Sequence, residues 1–224
     1  MEFQTDTALL TSDSWRVFRI LSEFVEGFET MTDLGPSVSI FGSARLQPGT
    51  PYYQLAVDVA RQIAGKGFAI ITGGGPGIME AANQGAQEAQ GSSCGLCVDL
   101  PFEADPNDYI DSKYTLRFRY FFVRKVMFIR YAQGYVFLPG GFGTLDELFE
   151  ALTLIQTRKI HPFPIYLMGK NYWSGMLGWL QETAMACGCI DKIDLELMQI
   201  TDDPAEVVNG IECHFQRHRS VRNF

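Results

Sequence analysis

No apolar run in the 224-residue chain approaches the roughly 20 residues that a membrane-crossing helix needs. No long stripe of lysine and arginine is present either, and the net charge is −8. The first absence predicts no membrane contact, and the second argues against nucleic acid as a partner. Histidine is scarce, with only His161, His214 and His218. His214 and His218 share an i, i+4 spacing but lack a third ligand nearby, so no metal site is expected. Five cysteines (Cys94, Cys97, Cys187, Cys189, Cys213) are an odd number in a chain too large to need staples, which predicts reduced thiols in a cytoplasm. Cys94 and Cys97 form a C-x-x-C, but "SSCGLCVDL" reads as a strand. An offset of three there sends the sulfurs to opposite faces, so they read as core residues rather than a redox pair. The opening "MEFQTDTALL" is acidic, with no basic start or apolar centre, unlike a signal peptide, and a cytoplasmic location is the expectation. No G-x-x-x-x-G-K-[ST] occurs, which excludes a triphosphate P-loop. "GGGPGIME" places Ile78 where a dinucleotide fingerprint needs its third glycine.

What is present is the composition of an ordinary globular protein, 46% hydrophobic and 20% charged, long enough for one large domain. Short apolar runs alternate with helical patterns. "SVSIFG" (37–42), "FAIITGG" (68–74), "CGLCVDL", "YTLRFRY" (114–120), "GYVFL", "FPIYLMG" and a short segment near Leu197–Ile200 read as strands. Helices are predicted over 14–31, 52–66, the stretch after Gly77, "FFVRKVMFIRYAQ", "TLDELFEALTLIQTR", "WSGMLGWLQETAMAC" and from Pro204 onward, with residues 101–113 as a polar loop. That alternation predicts an α/β fold: a single Rossmann-like, doubly wound, mostly parallel sheet with helices on both faces. Residues 1–34 read as an N-terminal helical extension and 35–224 as the Rossmann-like nucleotide-binding domain.

Three predicted strand ends carry small and polar residues: "FGSAR" (41–45), "TGGGPGIMEAAN" (72–83) and "PGGFGTLDE" (139–147). In a parallel sheet all three lie on the carboxyl edge, where doubly wound folds bind ligands. Glycines let amides approach an anion closely, and the helix that follows adds its positive end. Gly140, Gly141, Gly143 and Thr144 thus read as a phosphate cradle, and Gly73, Gly74, Gly75 and Gly77 as a second point of close approach. A mononucleotide phosphate suits these corners better than a triphosphate or a dinucleotide. The competing reading of Thr144-Leu-Asp-Glu147 is a capping box, in which Thr and Glu satisfy helix amides. Glu147 lies off the apolar stripe Leu145, Leu148, Leu152 and Ile155, so spacing alone makes it a solvated carboxylate.

"GGGPGIMEAAN", "FFVRKVMF" and "PGGFGTLDE" together resemble the Lonely Guy (LOG) family, the cytokinin-activating phosphoribohydrolases. "FGSAR" and Glu80-Ala-Ala-Asn83 look closer to its bacterial long-chain branch, and the resemblance runs from about Val38 to Leu180. It implies hydrolysis of the N-glycosidic bond of a purine nucleoside 5′-monophosphate, adenine or N6-substituted adenine, to free base and ribose 5-phosphate. It further implies that Arg124 and Glu147, twenty-three positions apart, are the catalytic pair. Gly42, Ser43, Glu80, Asn83 and Lys125 are expected to join the glycines in binding substrate, with no cofactor and no metal. Proteins of this kind often carry a lysine decarboxylase label. Pyridoxal chemistry needs a Schiff-base lysine, and the only lysine near the motifs is Lys125.

Two readings outside this class remain: a non-catalytic nucleotide-sensing module, which needs neither Arg124 nor Glu147, and a dinucleotide oxidoreductase, disfavoured by the broken fingerprint. The preferred base stays open, since Met79, Met127, Phe121 and Phe122 could line an apolar slot or simply fill a core. Large apolar residues at helical spacing in 14–31 predict a homo-oligomer, at least a dimer, with the cleft near the subunit contact.

Overall fold

The order of secondary structure determines which loops meet at one edge. A computed structural model describes residues 7–99 and 105–218, with side chains from residue 15 onward. The start of the acidic N-terminus, part of the 101–113 loop and the last residues of the basic tail lie outside the described residues.

Seven strands form one parallel sheet: β1 (Ser37–Phe41), β2 (Ala69–Thr72), β3 (Ser93–Val98), β4 (Thr115–Phe118), β5 (Ala132–Phe137), β6 (Ile165–Leu167) and β7 (Gln199–Ile200). Their spatial order is β4-β3-β2-β1-β5-β6-β7. The chain therefore builds outward from β1 on one side, then returns to the other side of β1 with β5. The switch point falls between β1 and β5, where loops diverge and leave a crevice.

Period-two alternation divides the sheet's side chains between two layers. Val38, Ile40, Ile70, Val136 and Tyr166 pack beneath α2 (Pro51–Ala64), α3 (Ile78–Glu88) and α8 (Pro204–Arg217). Phe41, Ile71, Leu96, Tyr135, Phe137 and Leu167 face the other layer. That layer holds α1 (Thr7–Thr32), α4 (Phe121–Tyr131), α5 (Phe142–Gln156) and α6 (Lys170–Trp179). Both faces are buried, which explains why the strands read as unbroken apolar runs. Cys94 and Cys97 are buried on β3 and form no disulfide, as expected of core residues.

Local chemistry sets the boundaries. Thr50 caps α2 through its hydroxyl, which accepts from the Tyr53 N–H, with Pro51 as the first helical residue. Asp203 and Pro204 repeat the device at α8. Three features differ from the sequence reading. A short 3₁₀ turn (Ser112–Tyr114) ends the predicted polar loop, and a one-turn helix, α7 (Lys192–Leu195), precedes β7. Ala132 and Gln133, predicted as the end of a helix, begin β5, so α4 passes into a strand with no linking residue. Ala132 pairs with Ser37 in the sheet, and that pairing prevails over helical propensity.

The carboxyl-terminal part of α1 belongs to the core: Met31 is buried, as is Leu34 just after the helix, and Phe24 and Phe28 pack against the same cluster. Its other side leaves Trp15, Phe18, Leu21 and Val25 more than half exposed. No described helix is long and apolar enough to cross a membrane.

Candidate active site

The three glycine corners are joined by backbone hydrogen bonds. The Ser43 N–H donates to the Pro139 carbonyl at 2.9 Å, and the Ile78 N–H donates to the Ser43 carbonyl at 3.0 Å. Gly77 adopts φ +70°, and a Cβ there would collide with the Ser43 carbonyl oxygen, so only glycine allows this closeness. A Cβ on Gly140 would likewise strike the Thr144 hydroxyl. The close seam brings the ends of β1, β2 and β5 to one cleft of about 680 Å³ at the switch point.

Gly42, Ser43, Gly73, Gly140, Gly141, Gly143, Thr144, Arg124 and Glu147 line this cleft. Gly141 is the N-cap of α5 and supplies no side-chain cap, which leaves first-turn amides and the helix's positive end available to an anion. Two guanidiniums contribute charge. Arg45 is exposed on the loop after β1. Arg124, on α4, lies with its guanidinium carbon 4.9 Å from the Phe121 ring centroid and 5.8 Å from that of Phe128, cation–π contacts that hold it against the wall.

Glu147 is buried, 5% exposed, on the same stripe as Thr144, Leu148, Ala151 and Ile155. The two non-catalytic readings of this residue are corrected. It is not a solvated carboxylate, because the face of α5 that packs inward carries Thr144, Glu147, Leu148, Ala151 and Ile155 rather than Leu145 and Leu152. It is not half of a capping box, because Thr144 lies inside the helix and makes no side-chain cap bond. Glu147 Oε2 makes no hydrogen bond, and the Lys125 ammonium lies 3.8 Å from it. Burial pushes the Glu147 carboxyl up from 4.5 to about 7, against the pull of Lys125 and Arg124 in the other direction.

Other expected site residues sit off the cleft wall. Asn83 is fully buried beneath the second glycine corner. Its carboxamide oxygen accepts from the Thr72 hydroxyl (2.6 Å), and its NH₂ donates to the Ser93 hydroxyl (2.8 Å). Asn107 donates to Gly74 O, Gly75 O and Asn83 Oδ1 at 3.0–3.1 Å, which ties the turn to this network. Asn83, Gly74 and Gly75 thus shape the corner, while Gly73 faces the cleft. Glu80, half-buried on α3, is close enough to Tyr53 to help raise its phenol, after burial itself, to about 12. Lys125 points away from the cleft because its neighbour Arg124 points into it, and successive helical side chains diverge by about 100°.

Several cleft residues gave no sequence signal. Tyr172, on α6, lines the cleft and donates its hydroxyl to the Gly140 carbonyl at 2.5 Å. It lies outside every motif, and only the pairing of β5 with β6 brings it close. Of the residues suggested for an apolar slot, Met79 and Phe121 line the cleft, joined by Phe41, Val98 and Phe128. Met127 is buried elsewhere and Phe122 is exposed outside it.

All three histidines line a different cleft of about 390 Å³, at the amino-terminal ends of β5 and β6. His214 and His218 stack there with ring centroids 4.4 Å apart. Among the described residues no group of three His, Cys, Asp or Glu side chains is arranged to hold a metal ion.

A doubly wound sheet whose switch point carries uncapped helix amides, two guanidiniums and a buried acid defines an α/β protein with an anion-ready cleft at its carboxyl edge. A family model described as "possible lysine decarboxylase" matches residues 79–211, more than half of the chain, and the protein belongs to this family, the LOG family of the sequence resemblance. It is 23% identical over 188 residues to a cytokinin riboside 5′-monophosphate phosphoribohydrolase of Arabidopsis thaliana, covering 82% of this chain and 85% of that protein. It is 29% identical over 152 residues to one of Rhodococcoides fascians (66% and 76% covered). It is 27% identical over 161 residues to one of Mycobacterium tuberculosis (70% and 83%). Among solved structures, the molybdenum cofactor carrier protein of Chlamydomonas reinhardtii superposes with a TM-score of 0.59 at 20% identity, over 81% of this chain and 99% of that one. A molybdenum cofactor binding protein of Rippkaea orientalis gives 0.59 at 22%, over 80% and 96%. These two likenesses concern the fold alone.

Lysine chemistry does not match the family description. No lysine lines the cleft, and Lys125 is hydrogen-bonded to Asp146 and Glu150. Burial lowers its pKa, but those bonds and the Glu147 charge outweigh it and leave the ammonium more firmly protonated than usual. A protonated, carboxylate-bound amine is a poor Schiff-base nucleophile.

Proposed function

We propose that the protein hydrolyses the N-glycosidic bond of a purine nucleoside 5′-monophosphate, adenine or N6-substituted adenine, releasing the base and ribose 5-phosphate. The observation that carries this reading is Glu147. It is a buried carboxylate on the wall of an anion-ready cleft, with one oxygen unbonded and a pKa of about 7. Such a group destabilises the fold, and a module that merely binds nucleotides has no use for it. The names of the relatives support the same chemistry.

The phosphate sits on the amides and glycines at 140–144, with Arg45 and Arg124 as counter-charges. This grip, remote from the breaking bond, places the sugar. Cleavage builds positive charge on C1′ and the ring oxygen, as in glycoside hydrolysis. Glu147 stabilises that charge and takes a proton from the attacking water, work matched to a carboxyl that titrates near neutrality. Arg124 keeps its protons, so it orients the ribose and Glu147 and offsets charge on the leaving base. Met79, Val98, Phe121 and Phe128 supply the apolar surface for the base.

A panel of 5′-monophosphates with product identification tests this reading. AMP or an N6-substituted AMP yields free base, while the matching nucleosides are cleaved very poorly. Equal turnover of adenosine and AMP would remove the phosphate cradle from the mechanism. Tight AMP binding with no base released would favour the sensing module.

A further inference from the structure

Resting on that reading of Glu147, we infer that Lys125 is a positioning residue of the same reaction, acting from behind the cleft on the charge and placement of the Glu147 carboxylate. Lys125 does not line the cleft; it lies behind it, in a surface groove along α5 with Asp146 and Glu150. Its ammonium lies 2.8 Å from Asp146 Oδ2, 2.8 Å from Glu150 Oε2 and 3.8 Å from Glu147 Oε2. A lysine beside solvent normally extends its charge into water. Here the side chain is only 16% exposed and is drawn down onto three carboxylates of α5.

The pair with Asp146, whose side chain is 60% exposed, contributes little by itself, as surface pairs do. Glu147 is different, since it is buried and its Oε2 has no hydrogen bond, so a nearby charge acts on it with little screening. The charged and titratable groups acting on Glu147 come from three elements. Lys125 and Arg124 on α4 favour its ionised form, Asp146 and Glu150 on α5 oppose it, and Tyr135 on β5 faces it as a neutral phenol. Arg124 is on the cleft side and engages the ligand. Lys125 is on the rear, and its help to Glu147 persists when an anionic phosphate occupies the cleft. Asp146 and Glu150 anchor the ammonium in that position.

Two variants test this with opposite signs. Lys125→Met keeps the chain length and removes the charge. Glu150→Gln removes a like charge and leaves Lys125 with Asp146 and Glu147. The readout is the Glu147 carboxyl titration, followed by ¹³C NMR of the full-length chain labelled at the glutamate carboxyls, with the signal identified by its loss in Glu147→Gln. Lys125→Met moves the midpoint up by at least about one pH unit, and Glu150→Gln moves it down. Lys125→Arg retains the parental midpoint. The acid limb of kcat on AMP shifts in the same directions, while KM stays within a few-fold because Lys125 does not touch substrate. An unmoved midpoint in Lys125→Met, or a shift of both variants in one direction, overturns the inference. A large KM rise with an unmoved kcat profile would return Lys125 to substrate binding. If Lys125→Met fails to fold, Lys125→Gln takes its place, and an unmoved midpoint there overturns the inference. The titration needs no substrate, so the expected shifts without cleavage of any monophosphate would sink the proposed hydrolysis and leave the coupling of Lys125 to Glu147 standing.

Discussion

Glu147→Gln should trade activity for stability, and the sign of the stability change depends on pH. Gln is nearly isosteric, so packing along α5 is kept. The folded protein holds the Glu147 carboxyl at about 7 against an ordinary 4.5. Because the folded-state value is raised, the favourable contribution of this group is present in full below pH 4.5 and is lost as pH rises through 7. The difference of 2.5 units corresponds to about 3 kcal/mol above neutrality, at 1.36 kcal/mol per unit. Removing the charge therefore stabilises the variant at pH 8 by up to about 3 kcal/mol, an upper limit because the new amide also needs partners. For a chain of this size that amounts to roughly 6–12 °C in Tm. Near pH 4 the two proteins should melt together. Turnover should fall by about 10²–10⁴-fold while AMP still binds. Differential scanning calorimetry at pH 4 and 8, with an assay for free base, covers both halves. A simple cap predicts the reverse, unchanged turnover and a loss of about 1 kcal/mol. A Glu147→Gln protein that is active, or less stable than its parent at pH 8, would refute the reasoning.

Three further outcomes are expected. Asn83→Ala strips partners from Thr72, Ser93 and Asn107 and should lower stability in urea titrations by roughly 2–4 kcal/mol, with kcat on AMP changed far less than in Glu147→Gln. Tyr172→Phe removes the hydroxyl that holds the Gly140 carbonyl and should raise KM for AMP several-fold with kcat nearly kept, and an unchanged KM would detach Tyr172 from the cradle. Light scattering at micromolar concentration should give at least a dimer, because Trp15, Phe18, Leu21 and Val25 stand exposed on α1 and Phe142, 92% exposed, stands at the cleft. A monomeric mass would reject that assembly.

The sheet and its three corners were legible because both depend on local patterns: apolar runs for strands buried on both faces, and glycine clusters at their carboxyl ends. Gly140, Gly141, Gly143 and Thr144 reached the cleft for that reason, whereas Arg124, inside a helix, was picked out only by the family resemblance. The burial of Glu147 was not legible from spacing, although the resemblance pointed to the residue itself. The apolar spacing favours a face through Leu145, Leu148, Leu152 and Ile155, and packing onto the sheet instead buries Thr144, Glu147, Leu148, Ala151 and Ile155. Asn83 and Asn107 were out of reach because their partners come from β2, β3 and a distant loop. Tyr172 and Lys125 show the same limit from opposite sides. One enters the cleft from outside every motif, and the other leaves it from inside one.

The junction at Tyr131–Ala132 limits how this protein tolerates insertions and deletions. Most helix-to-strand connections contain slack residues that absorb an added or lost codon. Here the helix carrying Arg124 is spliced straight into the central strand that leads to the Gly140 corner. One residue inserted between 125 and 131 would turn the start of α4 by about 100° and advance it by about 1.5 Å relative to β5. Lys125 would then take the position of Arg124, and Arg124 that of buried Val123, the guanidinium leaving the cleft and the ammonium leaving its carboxylates. Loop grafts and splice points therefore belong in the turn at 157–164 or the segment before α8, where a change in length leaves the α4–β5 register untouched.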